Sequence, residues 1–219
     1  MMSVPLEKKI DELVRRIPEL IRNFDYRKGP DLYFYKRIMK MRRSRHLNEL
    51  LGEPDGYLEL IYATLVAWDM NSRGAKMKYF DEFRSSILEN KERFLQLSSL
   101  ELETIPAGAF GEAKMICGEI YDNMHLMISR GRLVSNSKVM HFLLPDLVMP
   151  MDRQNTLNFF FGNTNESKSN FMKILTCSYD IAKRIDLSHF LDNEWNQSIP
   201  KIIDNAIISR ESPKYNREI

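Results

Sequence analysis

The sequence predicts an all-α protein, and two observations carry this prediction. Apolar residues recur at spacings of three and four along most of the chain, which is the period of an amphipathic helix. No stretch alternates apolar and polar residues for long enough to indicate a strand. The composition, with 43% hydrophobic and 28% charged residues, is that of an average globular chain. We therefore expect helices packed around a common core.

The predicted helices follow from this periodicity and from turn residues. Apolar residues from Leu6 to Ile17 define the first helix, which Pro18 is expected to end or kink. A turn at 28–31 containing Gly29-Pro30 starts the second helix. The helix at 57–70, after the break at 52–56, is apolar on all sides and is expected in the middle of the bundle. Further helices are predicted over 77–95, 111–127, 138–144, from Asp152, and over 166–185 and 200–208.

The length of 219 residues is compatible with one domain. We expect a single all-α domain over 1–219, with two lobes that share a core. One lobe would combine 1–56 with 163–209, and the other would comprise 57–162. The polar residues 210–219 are expected to form a frayed tail.

Several classes of protein are excluded by the sequence. The longest apolar runs, such as 140–144, are too short to span a bilayer, and the N-terminus resembles no secretory signal. Cys117 and Cys177 are isolated, so we expect free thiols in a reducing compartment and a cytoplasmic protein. No four ligands have the spacing of a zinc or iron–sulfur site. We therefore expect no metal, no cofactor and no membrane partner.

Basic residues cluster in one segment, although the net charge of +2 is close to neutral. Ten consecutive residues contain no acid and hold six cations: Lys36, Arg37, Lys40, Arg42, Arg43 and Arg45. On a helix, Lys36, Lys40 and Arg43 form one stripe. Two interpretations stay open, a solvated face or a surface that contacts nucleic-acid phosphates.

Three segments, in order, resemble the helix-hairpin-helix DNA glycosylases. The resemblance covers about 57–162, roughly half of the chain. The segments are LIYATLVAWDMNSRGAK (60–76) with Phe80 and Phe83, then LSSLELETI (97–105) with GEAKMI (111–116), and SKVMHFLL (137–144) with VMPMD (148–152) and LNFFFG (157–162).

This resemblance implies a two-lobed helical bundle that binds DNA in a cleft. By position, Asp152 matches the family's carboxylate, which stabilises an oxocarbenium-like centre at the sugar C1′. Lys138 matches the amine with which bifunctional members attack C1′ to form a Schiff base. Trp68 stands where many members have a glutamine that fills the gap left by a flipped base. From the residues alone, Asp152 is equally expected to cap the helix after Pro150, and Lys138 to be an exposed helix residue.

The hairpin of the family is glycine-rich, whereas SRGRLVSNS (129–137) has one glycine. We expect residues 135–137 to cap the helix that carries Lys138, so that Ser137 and backbone amides there can hold a phosphate. Arg130 and Arg132 would flank that phosphate, or would simply be solvated beside an ordinary capped helix. His141 is expected to be a packed or hydrogen-bonded residue.

The function expected from the sequence is DNA binding. If the activity of the family is retained, Asp152 and Lys138 would excise a damaged or modified base. The alternative is a non-enzymatic helical module that keeps the fold and uses its surface for protein or nucleic-acid contacts. The two differ in whether Asp152 faces an open basic cleft or is buried against its own helix. The oligomeric state is left open.

Overall fold

The computed structural model describes residues 5–24, 29–53, 56–72 and 74–211. Within these ranges the chain is all-α, as predicted, with no strand; an isolated antiparallel bridge joins Met77 and Met127. A π-helical turn (Arg153–Leu157) and a 3-10 turn (Ser188–Phe190) accompany the α-helices. The helices are α1 Leu6–Arg22, α2 Pro30–Ser44, α3 Leu47–Gly52, α4 Tyr57–Ala67, α5 Phe80–Leu88, α6 Lys91–Leu97, α7 Ala107–Asn123, α8 Leu133–Leu143, α9 Asn158–Phe161, α10 Lys168–Arg184 and α11 Ile199–Glu211.

Helix α1 continues through Pro18, so the proline does not end the helix. A proline inside a helix removes one backbone hydrogen bond and crowds the preceding turn. On both sides of it, however, Ile17, Leu20 and Ile21 are buried, and α1 packs along α11. The burial of this apolar face outweighs the local cost of the proline.

The single helix predicted over 77–95 is instead two helices, α5 and α6. The break falls at Asn90, whose side chain is fully buried. Its Nδ2 donates to the Ser86 carbonyl oxygen at 3.1 Å. Asparagine competes with helical hydrogen bonding in this way, which explains why the periodicity alone did not reveal the break.

Helix α8 is, with α11, one of two almost fully buried helices in the described ranges, whereas the sequence predicted that 57–70 lies in the middle of the bundle. Every residue of α8 is buried except Lys138, which is half-buried. Helix α4, in contrast, exposes Ala63 and Val66. The buried polar residues of α8 are satisfied internally, as when Asn136 Nδ2 donates to the carbonyl oxygens of Met124 (2.9 Å) and Tyr121 (3.2 Å). These polar residues interrupt the apolar pattern of α8, so its burial could not be predicted from the sequence.

The buried hydrophobic residues of the described ranges form one continuous core. Around α8, helices α2 and α4 pack on one side and α10 on another, and α11 contacts α1, α10 and the π-helical turn. The division into two lobes stays a prediction. Cys117 and Cys177 are free thiols, as expected.

The C-terminal region is ordered further than predicted. Ser209 is fully buried in α11, and its Oγ donates to the Leu20 carbonyl oxygen at 3.1 Å. Arg210 pairs with Glu12 of α1 at 3.3 Å. The predicted frayed tail is therefore wrong for Arg210 and Glu211, and residues 212–219 lie outside the described ranges. Among the helices described, none combines the length and the apolar character needed to cross a bilayer.

Candidate functional site

A pocket of about 220 Å³ lies where the end of α4, the middle of α8, the segment before the π-helical turn and α11 meet. Four aspartates and two lysines line it, together with both tryptophans of the chain. The polar and aromatic lining residues are Asp31, Trp68, Asp69, Lys138, Asp152, Trp195, Lys201, Asp204 and Asn205. The pocket thus brings together the two residues for which the sequence predicted catalytic roles.

Lys138 is the one residue of α8 that reaches beyond the core into the pocket. Its ammonium nitrogen lies 5.2 Å from the centroid of the Trp68 ring. Burial lowers the pKa of Lys138, while Asp152 and Asp204 act in the opposite direction. A larger fraction of this amine is therefore neutral at a given pH than in an exposed lysine. The prediction of an exposed helix residue is wrong.

Asp152 caps the π-helical turn, as the alternative interpretation predicted. Its Oδ1 accepts a hydrogen bond from the Asn155 backbone amide at 2.6 Å, and its Oδ2 accepts one from Asn155 Nδ2 at 3.0 Å. The backbone amide of Asp152 donates to Thr156 Oγ1 at 3.1 Å. The residue is half-buried and also lines the pocket. The cap fixes the carboxylate at the wall of the pocket, so the two predicted roles are compatible.

Lys201 and Asp204 form a buried ion pair on α11 that the sequence analysis missed. Their atoms Nζ and Oδ2 are 2.6 Å apart, and both side chains are almost fully buried. Burial raises the pKa of Asp204 to about 6, with a further contribution from Asp152, while Lys201 and Lys138 oppose the shift. The available signal was the segment PKIIDNAII (200–208), in which two charges stand within an otherwise apolar helix.

The pocket carries more carboxylates than ammonium groups. Asp31 lies in the first turn of α2, and Asp69 follows α4 in the left-handed region with φ of 60°. Burial raises the pKa of Asp31, and the neighbouring Asp69 adds to that effect. Such a surplus of negative charge disfavours phosphate and other anions and favours neutral or cationic groups. The open basic cleft predicted around Asp152 is therefore not what surrounds this residue.

Trp68 forms a wall of the pocket rather than an exposed wedge. Its ring is 5.1 Å from that of Phe142 and 6.3 Å from that of Trp195, measured between centroids. Its indole Nε1 is buried and has no hydrogen-bond partner within the described ranges. A direct contact between Trp68 and a DNA duplex stays a prediction.

His141 lies in the core, as expected. Its Nδ1 is 2.8 Å from the Val148 carbonyl oxygen and its Nε2 is 3.4 Å from the Tyr35 hydroxyl. Burial lowers the pKa of His141 to about 3, so the ring is neutral at physiological pH. The residue contributes packing and hydrogen bonds.

The predicted phosphate site at the N-terminus of α8 is wrong. The helix begins at Leu133, so residues 135–137 lie inside it and do not cap it. Ser137 is fully buried, where its Oγ donates to the Val134 carbonyl oxygen at 3.1 Å and accepts from the Met151 amide at 3.1 Å. The carboxylate of Glu166 accepts a hydrogen bond from the Val134 amide at 3.2 Å. The N-terminus of α8 therefore already binds a carboxylate of the protein itself.

The two arginines expected beside that phosphate differ in their surroundings. Arg130 is exposed. Arg132 lies 5.6 Å from the centroid of the Tyr121 ring, and its Nη1 donates to the Asp122 carbonyl oxygen at 3.2 Å. The same nitrogen is 3.1 Å from His125 Nδ1. Arg132 is thus bonded to the end of α7, whereas the side chain of Arg130 is exposed to solvent.

Most cations of the basic cluster are bonded within the protein, two of them to acids that are distant in the sequence. Lys36 pairs with Glu194 at 3.0 Å, and Arg43 makes two bonds of 2.6 Å to Asp146. Further along, Arg42 donates to the carbonyl oxygens of Leu143 and Ser98, and Arg45 pairs with Glu49 and Glu53. The cations of the cluster that are exposed and form no ion pair within the described residues are Arg37 and Lys40.

A shallower depression of about 490 Å³ adjoins the pocket and shares Asp69 and Asp152 with it. There Arg153 forms an ion pair with Glu166, whose side chain is 7% exposed. Glu166 thereby connects the N-terminus of α8 with the π-helical turn. The sequence did not single out this residue, because neither partner is near it in the chain.

No group of three or more histidine, cysteine, aspartate or glutamate side chains is arranged to hold a metal ion in the part of the chain that the structure describes. The chemistry that the pocket offers is that of an amine with a lowered pKa beside a fixed carboxylate. No protein-family model, curated protein or solved structure matches this chain.

Proposed function

We propose that this chain binds DNA and excises a base in the pocket, with Lys138 as the nucleophilic amine and Asp152 as the electrostatic partner. One observation carries the proposal: the two side chains belong to separate elements, α8 and the cap of the π-helical turn, and line the same pocket. The lowered pKa of Lys138 supports it, since only the neutral amine is a nucleophile.

In this reaction the lone pair of the Lys138 amine forms a bond to C1′ of the deoxyribose. The bond between C1′ and the base breaks, and the base leaves with the electron pair and gains a proton. The negative charge of Asp152 stabilises the positive charge that develops on the sugar. Loss of a proton from the new amine and opening of the sugar ring then give the Schiff base.

The size of the pocket also supports the proposal. Its volume of about 220 Å³ is below the range of about 300–1,000 Å³ typical of sites for drug-sized ligands. A single ring system suits that space. The phosphates of a bound DNA would remain outside the pocket, and the exposed cations Arg37, Lys40 and Arg130 are the candidates to contact them.

Borohydride trapping tests the proposal. DNA with an abasic site, incubated with the protein and borohydride, should yield a covalent complex, because the Schiff base is reduced to a stable amine. Lys138→Ala should abolish this complex. Lys173→Ala, which alters an exposed lysine of α10, is the matched control and should leave trapping unchanged.

The alternative of a non-enzymatic binding module is favoured by the criterion stated for the sequence, because Asp152 faces no open basic cleft and caps the turn that follows it. Both carboxylate oxygens of Asp152 are already bonded to Asn155, and the ammonium of Lys138 is already held against Trp68. Absence of trapping, together with salt-dependent binding to duplex DNA, would favour the module over the enzyme.

A further inference from the structure

A groove of about 730 Å³ is lined by one face of α2 and, from a distant segment, by Asn193 and Gln197. The residues that α2 contributes run from Gly29, just before the helix, to Arg43 and recur mainly at spacings of three and four, as residues on one helical face do. At a rise of about 1.5 Å per residue, this face is about 21 Å long. The α2 groove is therefore long enough to hold an extended chain.

Four cations line the α2 groove, and its described lining residues include no acid: Lys36, Arg37, Lys40 and Arg43. Lys36 pairs with Glu194 at 3.0 Å, and Arg43 pairs with Asp146. Arg37 and Lys40, in contrast, are exposed and form no ion pair within the described residues. The groove thus carries positive charge that its described neighbours do not balance, and this charge favours an anionic ligand.

An aromatic ring is exposed in the same groove. Tyr33 is 62% exposed, and its ring makes an edge contact with that of Phe34 at 5.6 Å between centroids. Tyr33 precedes Arg37 by four residues and Lys40 by seven, so the three side chains lie on one face of α2. Along the helix axis the ring is about 6 Å from the first cation and about 10 Å from the second.

A single strand of nucleic acid matches this arrangement, because each nucleotide carries an anionic phosphate and an aromatic base. The faces of unpaired bases are free to stack on an aromatic side chain, whereas in a duplex they are covered by neighbouring bases. An acidic peptide would match the cations alone. Leu32 and Met39, which also line the groove, are buried and offer the apolar side chains of a peptide little to contact.

The α2 groove also adjoins the pocket that contains Lys138. Asp31 lines the pocket, and the next residue, Leu32, lines the groove. On the other wall, Trp195 lines the pocket, two residues from both Asn193 and Gln197 of the groove. A strand bound in the groove would therefore pass close to the pocket, and an unpaired base would enter it without the cost of leaving a duplex.

We propose that the α2 groove binds single-stranded DNA, with Tyr33 stacked on an unpaired base and with Arg37 and Lys40 in contact with phosphates. The two cations contact the backbone of either form of DNA, whereas Tyr33 selects the single strand. This inference rests on the proposed function, which requires DNA as the partner, and names the form of DNA that the protein prefers.

Fluorescence anisotropy with a labelled, undamaged strand of about 12 nucleotides tests the inference, since single-strand sites span about 4–16 nucleotides. The same strand annealed to its complement is the duplex probe. The full chain should bind the single strand about tenfold more tightly than the duplex, which is the scale of one stacked base. Added salt should weaken binding of both probes.

Tyr33→Ala should remove this preference, with single-strand affinity reduced about tenfold and duplex affinity changed by less than about twofold. Tyr33→Phe keeps the ring and should keep the preference. The matched control is Tyr79→Ala. Tyr79 is 81% exposed, but it precedes α5 and does not line the groove, so this variant should bind both probes as the wild type does.

Arg37→Gln tests the backbone contact separately. It should weaken binding of both probes and reduce the salt dependence of log K for the single strand by about 0.7 for each phosphate that is no longer neutralised. Lys173→Gln, which alters an exposed cation of α10, is the control for charge and should leave binding unchanged. Because Tyr33 and Arg37 are exposed, all of these variants should keep the helical circular dichroism spectrum of the wild type.

Three results would overturn the inference. The first is equal single-strand affinity of wild type and Tyr33→Ala, and the second is an equal loss by Tyr33→Ala on both probes. The third is displacement of the labelled strand by an oligoglutamate peptide as effectively as by unlabelled strand, which would assign the groove to an acidic peptide.

This test and borohydride trapping fail separately. An undamaged strand has no abasic site, so its binding in the groove does not depend on Lys138 as a nucleophile. Trapping by the wild type without a preference for the single strand would remove this inference and leave the proposed chemistry standing. A preference that depends on Tyr33, without trapping, would remove the chemistry and keep the α2 groove as a single-strand site.

Discussion

The ammonium nitrogen of Lys138 lies 5.2 Å from the centroid of the Trp68 indole ring, a distance at which a cation is attracted to the aromatic face. The two residues are on different helices that pack together, α8 and the end of α4. The sequence predicted separate roles for them, a nucleophile and a DNA contact. Their contact brings both side chains to the same pocket, which Asp152 also lines.

The lowered pKa of Lys138 leads to a prediction about pH. Because burial favours the neutral amine, the rate of borohydride trapping should rise with pH and level off at a pH below 10.5, the usual pKa of lysine. Asp152 stabilises the charged amine, so Asp152→Asn should move this inflection to lower pH while it slows the reaction by about 10² or more. Single-turnover trapping across a pH series measures both effects. An inflection unmoved by Asp152→Asn would contradict the interaction.

The raised pKa of Asp204 predicts how stability depends on pH. A carboxyl group with a pKa of about 6 in the folded protein and about 3.8 in the unfolded chain stabilises the fold fully below pH 3.8. That contribution is lost as the pH rises through 6. Relative to Asp204→Asn, which lacks the titration, the wild type should therefore lose about 2 kcal/mol between pH 4 and 7, since one pKa unit is about 1.4 kcal/mol. Urea unfolding of both proteins at several pH values tests this, and a constant difference would contradict it.

Gly131 lies where the chain passes close to the ion pair of Arg153 and Glu166. A Cβ at this position would lie 2.7 Å from Glu166 Oε1 and 2.9 Å from Arg153 Nη2. Gly131→Ala should displace the carboxylate from Arg153 and from the Val134 amide, and we expect a loss of about 1–3 kcal/mol in the free energy of unfolding.

The matched control for this glycine is Gly111→Ala in α7. Its new Cβ would meet nothing within 4 Å, and alanine favours a helix over glycine by up to about 1 kcal/mol. This variant should be neutral or stabilised in the same denaturant titration. Equal behaviour of the two variants would show that the close approach at Gly131 has no energetic consequence.

The exposed cations of α2 should differ from the paired ones in DNA binding. Lys40→Glu should weaken binding to duplexes of any sequence and reduce the salt dependence of log K by about 0.9 for each phosphate that is no longer neutralised. Arg43→Ala should mainly lower thermal stability, because Arg43 is bonded to Asp146 and to the Gln197 carbonyl oxygen. Fluorescence anisotropy over a salt series measures the first effect, with Lys173→Glu as the control on α10. If Lys40→Glu and this control bind DNA alike, α2 does not contact the backbone.

The candidate site could be predicted in part. Lys138 and Asp152 were identified through the order of sequence segments, and the pocket contains both. Lys201, Asp204 and Asn205 were missed because their helix was judged by its apolar residues alone. Their contribution depends on how α11 packs against the π-helical turn, which no local pattern records.

The sequence by itself determined the fold class, the positions of most helices, the start of α2 at Pro30 and the cap at Asp152, because helical periodicity and capping depend on residues within a few positions of one another. Only the tertiary structure decided that α8 is almost fully buried, that Arg43 is neutralised by Asp146, and that the pocket carries a surplus of carboxylates. These properties arise between residues that are far apart in the chain. Burial and charge at such contacts are set by packing, so a pattern read along the sequence does not reveal them.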